Sequence, residues 1–274
     1  MVHSQLVPTD IRFGRLLLTG AAGALGKELR GRLASYCDTL RLSDIADMGS
    51  HAPHEELRPA RLENAMEVDQ IMDGVDAVVH LGGVPTEREW EPILQSNIVG
   101  AYNLYEAARK HGVRRVVFAS TSHVTGFYRQ DEQIDAAMPV RPDGLYGLSK
   151  AFGEDLARLY FDRYGIESVC IRIGAPSERP VTRRHLAMWL SHDDLERLVV
   201  CALTAPSVGH TVIYGVSDNL ATWWNNQAAS LLGYKPQDNS ESFRLGVEQA
   251  QAHLDPNDPE ARYQGGFMLT QGVV

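Results

Sequence analysis

The chain alternates short apolar runs with longer stretches in which apolar residues recur at helical spacing. The apolar runs, several of which end at glycine, predict buried strands at 15–20, 39–44, 75–83, 114–120, 167–174 and 210–217. The stretches at helical spacing predict helices at 25–35, 93–112, 145–164 and 191–205. Strands that alternate with helices of this length indicate an α/β fold with a doubly wound parallel sheet and helices on both faces.

The first predicted strand runs directly into a glycine-rich turn, "TGAAGALG" at 19–26, which a helix follows. A diphosphate needs free backbone N–H groups and a close approach of the backbone, and a glycine-rich helix N-terminus supplies both. The strand–turn–helix context favours a dinucleotide site in a Rossmann-type sheet over a merely tight turn. The predicted cofactor contacts in this turn are Gly20, Ala22, Gly23, Ala24, Leu25 and Gly26.

An aspartate ends the second predicted strand. Asp44 is placed where a carboxylate accepts hydrogen bonds from the ribose hydroxyls of an adenosine. Its charge would repel a 2′-phosphate, and residues 45–47 offer no arginine to offset that repulsion. The sequence therefore predicts NAD rather than NADP. A role as a solvated strand-end residue or cap is the alternative for Asp44.

A tyrosine and a lysine lie one helical turn apart in "YGLSK", and a threonine ends the strand before them. This spacing is common by chance, so a catalytic role for Tyr146, Lys150 and Thr121 depends on which other residues lie near them. A free phenol has a pKa of ~10 and is a poor base, but a nearby ammonium and a positive nicotinamide ring stabilise the phenolate. Tyr146 could then take the proton of a substrate hydroxyl while hydride leaves the same carbon.

The composition limits which ligands the protein is expected to bind and in which cellular compartment it is expected to lie. The formal charge is −9 and no basic run stands out, which argues against nucleic acid or an anionic membrane as partner. The spacings of Cys37, Cys170 and Cys201 fit neither a zinc site nor a redox pair, so we expect reduced thiols, no metal and a cytoplasmic protein. The N-terminal "MVHSQLVPTD" lacks the apolar core of a signal peptide, and no apolar run reaches the ~20 residues that span a bilayer.

These motifs together resemble the extended short-chain dehydrogenase/reductase family over about residues 14–220. The resemblance is carried by the glycine turn, Asp44, "HLGG" at 80–83, Asn97, Thr121 and the "YGLSK" segment. It implies that Lys150 also holds the nicotinamide ribose and that Thr121 orients the substrate oxygen. It implies for Asn97 a support of the active-site helix and a water relay, with an ordinary polar helix residue as the alternative. The further cofactor contacts that it implies are Ile45, Leu62, Leu81, Gly82 and Gly83.

Within that family the chain is most similar to the uronate dehydrogenases. The similar segments are "GGV" at 82–84, residues 93–112, "SHVTGFY" at 122–128, "RPDGLYGLSK" at 141–150 and "MWLSHDDL" at 188–195. The resemblance implies NAD-dependent oxidation of glucuronate or galacturonate at the anomeric carbon to an aldarolactone. The substrate contacts that it implies are Val84, Ser122, His123 and Arg184.

Two of these substrate assignments leave alternatives open. Arg184 matches an arginine that grips the substrate carboxylate, for which a guanidinium fork is well suited. Arg179 or Arg183 could take that role, or the whole cluster could be a solvated basic loop. A neutral His123 could bond a sugar hydroxyl, or it could be a packed histidine bonded to backbone.

Several positions depart from the uronate dehydrogenase pattern. Pro85 and Ala175 stand where that pattern has serines, and Ser122 stands where it has asparagine. Each buried sugar hydroxyl left without its partner costs ~1–3 kcal/mol, so uronate recognition could be weakened. Arg61 stands where the pattern has an aspartate that holds the adenine amine, so NAD could bind less tightly, or Arg61 could stack on the base.

The expected organisation is a single domain over 1–274, with a dinucleotide-binding core at about 14–174. A small substrate-binding portion follows at about 175–274, and its polar tail from about 235 is expected to wrap the surface. The apolar faces of 93–108 and 145–164 could pair with copies of themselves in a homo-oligomer, a dimer or larger, or be covered within the monomer.

Three other functions compete with uronate oxidation. A dehydrogenase of the same mechanism could act on a different sugar acid, lactol or hydroxy compound. A sugar epimerase or dehydratase usually carries a larger C-terminal domain than the ~100 residues that follow Gly174. A non-catalytic NAD-binding protein would have no need of Thr121, Tyr146 and Lys150 together.

Overall fold

The computed structural model describes residues 12–251, 253 and 255–271, so the N-terminal segment assessed above for a signal peptide lies outside the described residues. The strands are β1 Phe13–Thr19, β2 Cys37–Ser43, β3 Glu55–Leu57, β4 Ala77–His80, β5 Arg115–Thr121, β6 Ile134–Asp135, β7 Glu167–Ile173, β8 Ala175–Pro176, β9 Trp189–Leu190, β10 His210–Gly215 and β11 Trp224–Asn225. The α-helices are α1 Ala24–Leu33, α2 Ala65–Met72, α3 Trp90–Ile93, α4 Gly100–His111, α5 Leu145–Tyr164, α6 Arg183–Met188, α7 His192–Thr204, α8 Gln227–Leu231, α9 Arg244–Ala250 and α10 Pro259–Arg262. A π-helical segment, Leu94–Val99, joins α3 to α4.

Seven of the strands form one parallel sheet in the order β10-β7-β5-β4-β1-β2-β3. The winding reverses between β1 and β4, where Thr19 pairs with His80 at the carboxyl ends of the two strands. Such a reversal opens a crevice above the carboxyl ends, which is where open α/β sheets bind ligands. The predicted Rossmann-type fold is confirmed.

The alternation of side chains along β1 explains how the sheet is covered on both faces. Leu16 and Leu18 belong to the apolar cluster that includes residues of α1 and α7. Leu17 belongs to the cluster on the other face, which includes residues of α2, α4 and α5. All three leucines are fully buried, as expected for a strand whose two faces both meet helices.

Three parts of the fold differ from the sequence predictions. The edge strand β3 and the helix α2 are not predicted, because three residues carry no period and the helix spans only two turns. The helix predicted at 93–112 begins earlier, at Trp90, and contains the π-helical segment. The prediction that the whole tail wraps the surface is wrong for Gln264–Gly266, which are buried.

The C-terminal tail can enter the interior because its polar groups are satisfied there. The Gln264 amide donates to the carbonyls of Arg129 and Glu132, at 3.0 and 3.1 Å, and its oxygen accepts from the Trp224 indole. The small C-terminal portion also adds β10 and α7 to the main sheet and its core. Among the described residues, no helix combines the length and the apolar character needed to cross a bilayer.

Candidate active site

A cavity of about 770 Å³ opens at the carboxyl ends of the strands, beside the reversal between β1 and β4. All of the cofactor contacts predicted above line it, and so do Val84, Thr121 and His123. Asn97, Ser122 and Arg184 do not line it, and their positions are described below. The sequence motifs from four separate strand ends therefore converge on one cavity.

The glycine turn is held so tightly that two of its positions exclude any side chain. Gly20 has a φ of 70°, and a Cβ there would lie 2.7 Å from the Gly82 nitrogen. A Cβ on Gly26 would overlap the carbonyl oxygen of Gly20. No side chain caps the N-terminus of α1, which leaves its first backbone N–H groups free to receive an anion.

Asp44 is fixed by the backbone on both sides of the turn. Its Oδ2 accepts a hydrogen bond from the Ala22 N–H at 3.0 Å, and its Oδ1 accepts one from the Ala46 N–H at 2.9 Å. Each carboxylate oxygen keeps a lone pair, so the group can still accept from a ribose hydroxyl. Arg61 is bound to Glu67 at 2.6 Å and lies outside the cavity lining, whereas its neighbours Leu62 and Glu63 line it.

Tyr146 and Lys150 are buried side chains that face the cavity from α5. Burial raises the pKa of Tyr146 to about 12. The charge of Asp143 also raises this pKa, whereas the side chain of Thr121 lowers it. Burial lowers the pKa of Lys150 to about 8, and no carboxylate pairs with this amine within the described residues. The protein's own groups thus hold the phenol protonated, and a positive charge from a ligand is needed to make it a base at neutral pH.

Asn97 lies beneath the cavity and ties a loop to the helix that carries the tyrosine. Its Oδ1 accepts from the Val84 N–H at 2.7 Å, and its Nδ2 donates to the Ser149 hydroxyl at 2.9 Å. That hydroxyl donates to the Tyr146 carbonyl at 2.7 Å. The predicted support of the active-site helix is consistent with these contacts, and the π-helical segment brings the amide into reach.

A buried glutamate caps the same helix, and the sequence analysis missed it. The two carboxylate oxygens of Glu87 accept from the Leu145 and Tyr146 N–H groups at 2.9 and 3.0 Å. Gly144, which precedes α5, supplies no side-chain cap, and a Cβ on it would meet this carboxylate. Glu87 lies in a loop without periodicity, 58 positions from Leu145, so no local signal could have found it.

His123 lines the cavity beside Tyr146, with 6.1 Å between the two ring centroids. Its Nδ1 lies 2.6 Å from the Oδ2 of Asp143, whose side chain is 1% exposed. Asp143 belongs to the "RPDG" turn before α5, and its sequence position indicates only a turn. The alternative of a histidine bonded to backbone does not apply to Nδ1, because its partner is a carboxylate.

The chain is similar over nearly its whole length to proteins of known activity. A family model described as the NAD dependent epimerase/dehydratase family matches residues 16–177. The uronate dehydrogenase of Pseudomonas putida is 54% identical over 265 residues, which are 96% of this chain and 98% of that protein. A solved mutated uronate dehydrogenase has a TM-score of 0.93 at 52% identity and 94% coverage of both chains. A mutant of the Agrobacterium tumefaciens uronate dehydrogenase, complexed with NAD, has a TM-score of 0.93 at 45% identity and covers 96% of this chain and 99% of that one.

The chain belongs to the NAD-dependent epimerase/dehydratase family. The residues present fit the cofactor in that family's name, because the N-terminus of α1 has no side-chain cap and its first N–H groups can receive a diphosphate. Asp44 supplies a carboxylate beside the glycine turn, and no basic residue stands at 45–47 next to it.

In this member of the NAD-dependent epimerase/dehydratase family, Arg184 and Ser122 both carry a buried polar atom without a hydrogen-bond partner among the described residues. Arg184 donates from Nε to the Gln264 carbonyl at 2.6 Å, while its Nη2 has no acceptor. Burial lowers the pKa of Arg184 to about 10, and the charges of Asp143 and Glu260 act against that shift. Unpaired buried donors are rare in folded proteins, but neither residue lines the cavity, so either atom would contact a ligand there only after the lining moves.

Proposed function

We propose that this protein is an NAD-dependent uronate dehydrogenase. It oxidises a uronic acid of the glucuronate or galacturonate type at the anomeric carbon and forms an aldarolactone. The observation that carries the proposal is the meeting of Thr121, Tyr146 and Lys150 in one cavity with the glycine turn. Similarity to uronate dehydrogenases over 96% of the chain supports the choice of substrate.

The chain's own residues supply binding, orientation and the movement of one proton. NAD, when bound, accepts the hydride and brings a positive charge to the cavity. That charge, together with the ammonium of Lys150, offsets the burial that raises the pKa of Tyr146 to about 12. Tyr146 takes the proton of the anomeric hydroxyl, whose oxygen the Thr121 hydroxyl orients. Gly20 makes the tight turn, Gly23 lets the backbone approach the diphosphate, and Gly26 lets α1 pack closely, while Asp44 receives the adenosine ribose.

Recognition of the carboxylate is assigned to Arg184. Its Nη2 and the Ser122 hydroxyl are two buried donors without a partner among the described residues, and an anionic sugar satisfies them once the cavity lining moves to admit it. A guanidinium already fixed through Nε to the Gln264 carbonyl loses little freedom on binding, which favours a carboxylate further. Arg183 is held in a different place, because its Nε donates at 2.9 Å to the carbonyl of Gln251, the residue that follows α9.

A dehydrogenase of the same mechanism with a different sugar acid is the second candidate. Pro85 lines the cavity and offers no donor there, because its ring nitrogen carries no hydrogen. Ala175 follows Gly174, which lines the cavity too, and it brings no hydroxyl. Loss of these two polar groups would favour a sugar acid with fewer or differently placed hydroxyls.

A substrate panel tests the proposal. The protein is incubated with NAD and with glucuronate, galacturonate, the matching neutral aldoses and small hydroxy acids, and the absorbance of the reduced cofactor is followed. We expect reduction with uronates at a kcat/KM well above that of glucose or galactose. Reduction with hydroxy acids or neutral aldoses alone would reject uronate oxidation and favour the second candidate.

The role of Arg184 is tested in the same assay. We expect Arg184→Ala to raise the KM for uronates by about 100-fold and the KM for neutral aldoses by much less, because a charged hydrogen bond of ~1.5–3 kcal/mol is lost only with the acid. Arg183→Ala on the same helix is the matched control. Equal effects of Arg184→Ala on acidic and neutral substrates would show that this residue does not hold a carboxylate.

A cytoplasmic homo-oligomer is the assembly that we propose for the enzyme. The helices α4 and α5 expose large apolar side chains, namely Tyr102, Leu148, Phe152 and Leu159. An apolar face of this kind on two neighbouring helices favours pairing with a second copy. The three cysteines are buried free thiols, which is typical of a reducing compartment. Light scattering of the purified protein tests the assembly, and a monomer at micromolar concentration would reject it.

A further inference from the structure

The carboxylate of Asp143 occupies a place that two other segments of the chain leave open for it. A Cβ on Gly126 or on Gly265 would overlap its Oδ2. The φ angles of these glycines, −62° and −70°, are open to any residue, so the backbone itself does not require glycine. The space is therefore kept for the carboxylate, by the loop after β5 and by the C-terminal tail together.

The position of this carboxylate decides where His123 carries its proton. An ionised carboxylate only accepts hydrogen bonds, so the Nδ1 that lies 2.6 Å from Asp143 Oδ2 must be the donor. In the neutral imidazole the other nitrogen, Nε2, is then an acceptor with a free lone pair. The ring lines the cavity, and within the described part of the chain Nε2 has no hydrogen-bond partner.

The place of the ring relative to Tyr146 indicates what Nε2 meets. The two ring centroids are 6.1 Å apart, so a sugar whose reacting hydroxyl lies at the Tyr146 phenol brings a neighbouring ring hydroxyl towards His123. A hydroxyl can donate to this nitrogen, whereas a group that only accepts would face it lone pair to lone pair.

We propose that Asp143 is a positioning residue that fixes the tautomer of His123, so that Nε2 accepts a hydrogen bond from one substrate hydroxyl and selects against substrates that lack this donor. The identity of the sugar rests on the proposed function, whereas the tautomer does not. A purely structural hydrogen bond between Asp143 and His123 would stabilise the loop and leave the choice of substrate unaffected.

The tautomer is measured first, on the free protein with ¹⁵N-labelled histidine. Nitrogen chemical shifts distinguish a protonated from an unprotonated imidazole nitrogen, and His123→Gln assigns the signal. At a pH where the spectrum shows a neutral ring, we expect the proton on Nδ1 in the wild type. Asp143→Asn, nearly isosteric, and Asp143→Ala, which removes the acceptor, should move it to Nε2. If both variants keep the proton on Nδ1, another group sets the tautomer and the proposal is wrong.

The selection against acceptors is measured with monofluoro uronates, in which fluorine replaces one ring hydroxyl at a time. Fluorine accepts but does not donate, and its inductive effect on the reaction is the same in every variant. We expect the wild type to prefer hydroxyl over fluorine at one ring position, and Asp143→Asn to reduce that kcat/KM ratio by about tenfold, as expected for one satisfied hydrogen bond. Asp162→Asn, which removes an exposed carboxylate of α5, is the charge control and should leave the ratio unchanged.

The outcomes separate this proposal from the proposed function. If no uronate is oxidised by the wild type, the proposed function fails, while the nitrogen spectra still decide the tautomer. If uronates are oxidised and the tautomer changes, but the fluorine ratio stays constant at every ring position, Nε2 does not meet a hydroxyl and the inference is overturned.

Discussion

The cofactor side and the substrate side of the cavity are built in different ways. On the cofactor side the decisive contacts are local, since Gly26 packs on Gly20 and Asp44 accepts from Ala22. On the substrate side they join distant segments, as Glu87 does with the start of α5 and Arg184 with the Gln264 carbonyl, 80 positions away. Much of the nucleotide cradle thus comes from the β1–α1–β2 unit, whereas the substrate lining exists only once the whole chain has closed around it.

The largest effect is expected where the two sides meet, at Tyr146. Tyr146→Phe removes the proposed base and keeps the ring, so we expect kcat to fall by about 10²–10⁴. NAD affinity, measured by fluorescence titration, should change by less than about twofold, because the diphosphate and ribose contacts lie on the other side. Unaltered rates in this variant would remove the tyrosine from the mechanism.

A substitution inside the glycine turn should weaken NAD binding and leave the substrate side of the cavity intact. A methyl group on Gly26 would overlap the Gly20 carbonyl and lie within 2.8 Å of the Ala21 backbone, so the turn must shift. We expect Gly26→Ala to weaken NAD binding by about 100-fold, which corresponds to ~2.7 kcal/mol.

Gly31→Ala in the same helix is the matched control for that experiment. Nothing lies within 4 Å of a Cβ there, so the change should stabilise the helix by ~0.5–1 kcal/mol and leave NAD binding unaffected. Equal NAD affinity in Gly26→Ala and Gly31→Ala would show that the turn does not carry the diphosphate.

The same contrast explains which parts of the site could be predicted from the sequence. The glycine turn, Asp44 and the Tyr146–Lys150 pair are short patterns whose spacing already carries the chemistry, and all of them line the cavity. Glu87 and Gln264 are single polar residues in irregular segments. Their partners lie 40 positions or more away, so their burial follows from the closed fold and from no local period.

The fold shows the same division between local pattern and long-range closure. The leucines of β1 alternate between two helical layers, and that alternation specifies the register before any tertiary contact is known. The tail residues Gln264–Gly266 resemble a surface loop in sequence. Their composition does not indicate that the Gln264 amide donates to the backbone carbonyls of residues 129 and 132.

The buried amine of Lys150 predicts a pH dependence of stability. Its pKa is lowered from 10.5 to about 8 by burial, so between these values the unfolded chain binds more protons than the folded one. The contribution of this group to the free energy of unfolding therefore rises with pH across this window, by an amount of order 1–3 kcal/mol.

Lys150→Met should remove that contribution. Urea unfolding at pH 7.5 and pH 10 gives the gain in stability for each protein, and we expect the gain to be smaller in Lys150→Met. The comparison sharpens the contrast between the two sides, since it measures what the burial of this amine, a proposed cofactor contact, costs in stability. An identical gain in both proteins would show that Lys150 is not desolvated in the folded state.

The smallest effect is expected from Glu87, which caps α5. This prediction tests whether a contact from a distant loop affects the position of Tyr146. Glu87→Gln keeps one acceptor oxygen but replaces the other with an amide that cannot accept from Leu145 or Tyr146. We expect the free energy of unfolding to fall by ~1–2 kcal/mol and kcat to fall by about three- to tenfold, with NAD affinity unaffected. Glu89→Gln, on the exposed side of the same loop, is the matched control and should change neither. A loss of stability with kcat preserved would confine Glu87 to the fold, whereas a loss of kcat as well would mean that the distant loop sets the position of the Tyr146 backbone.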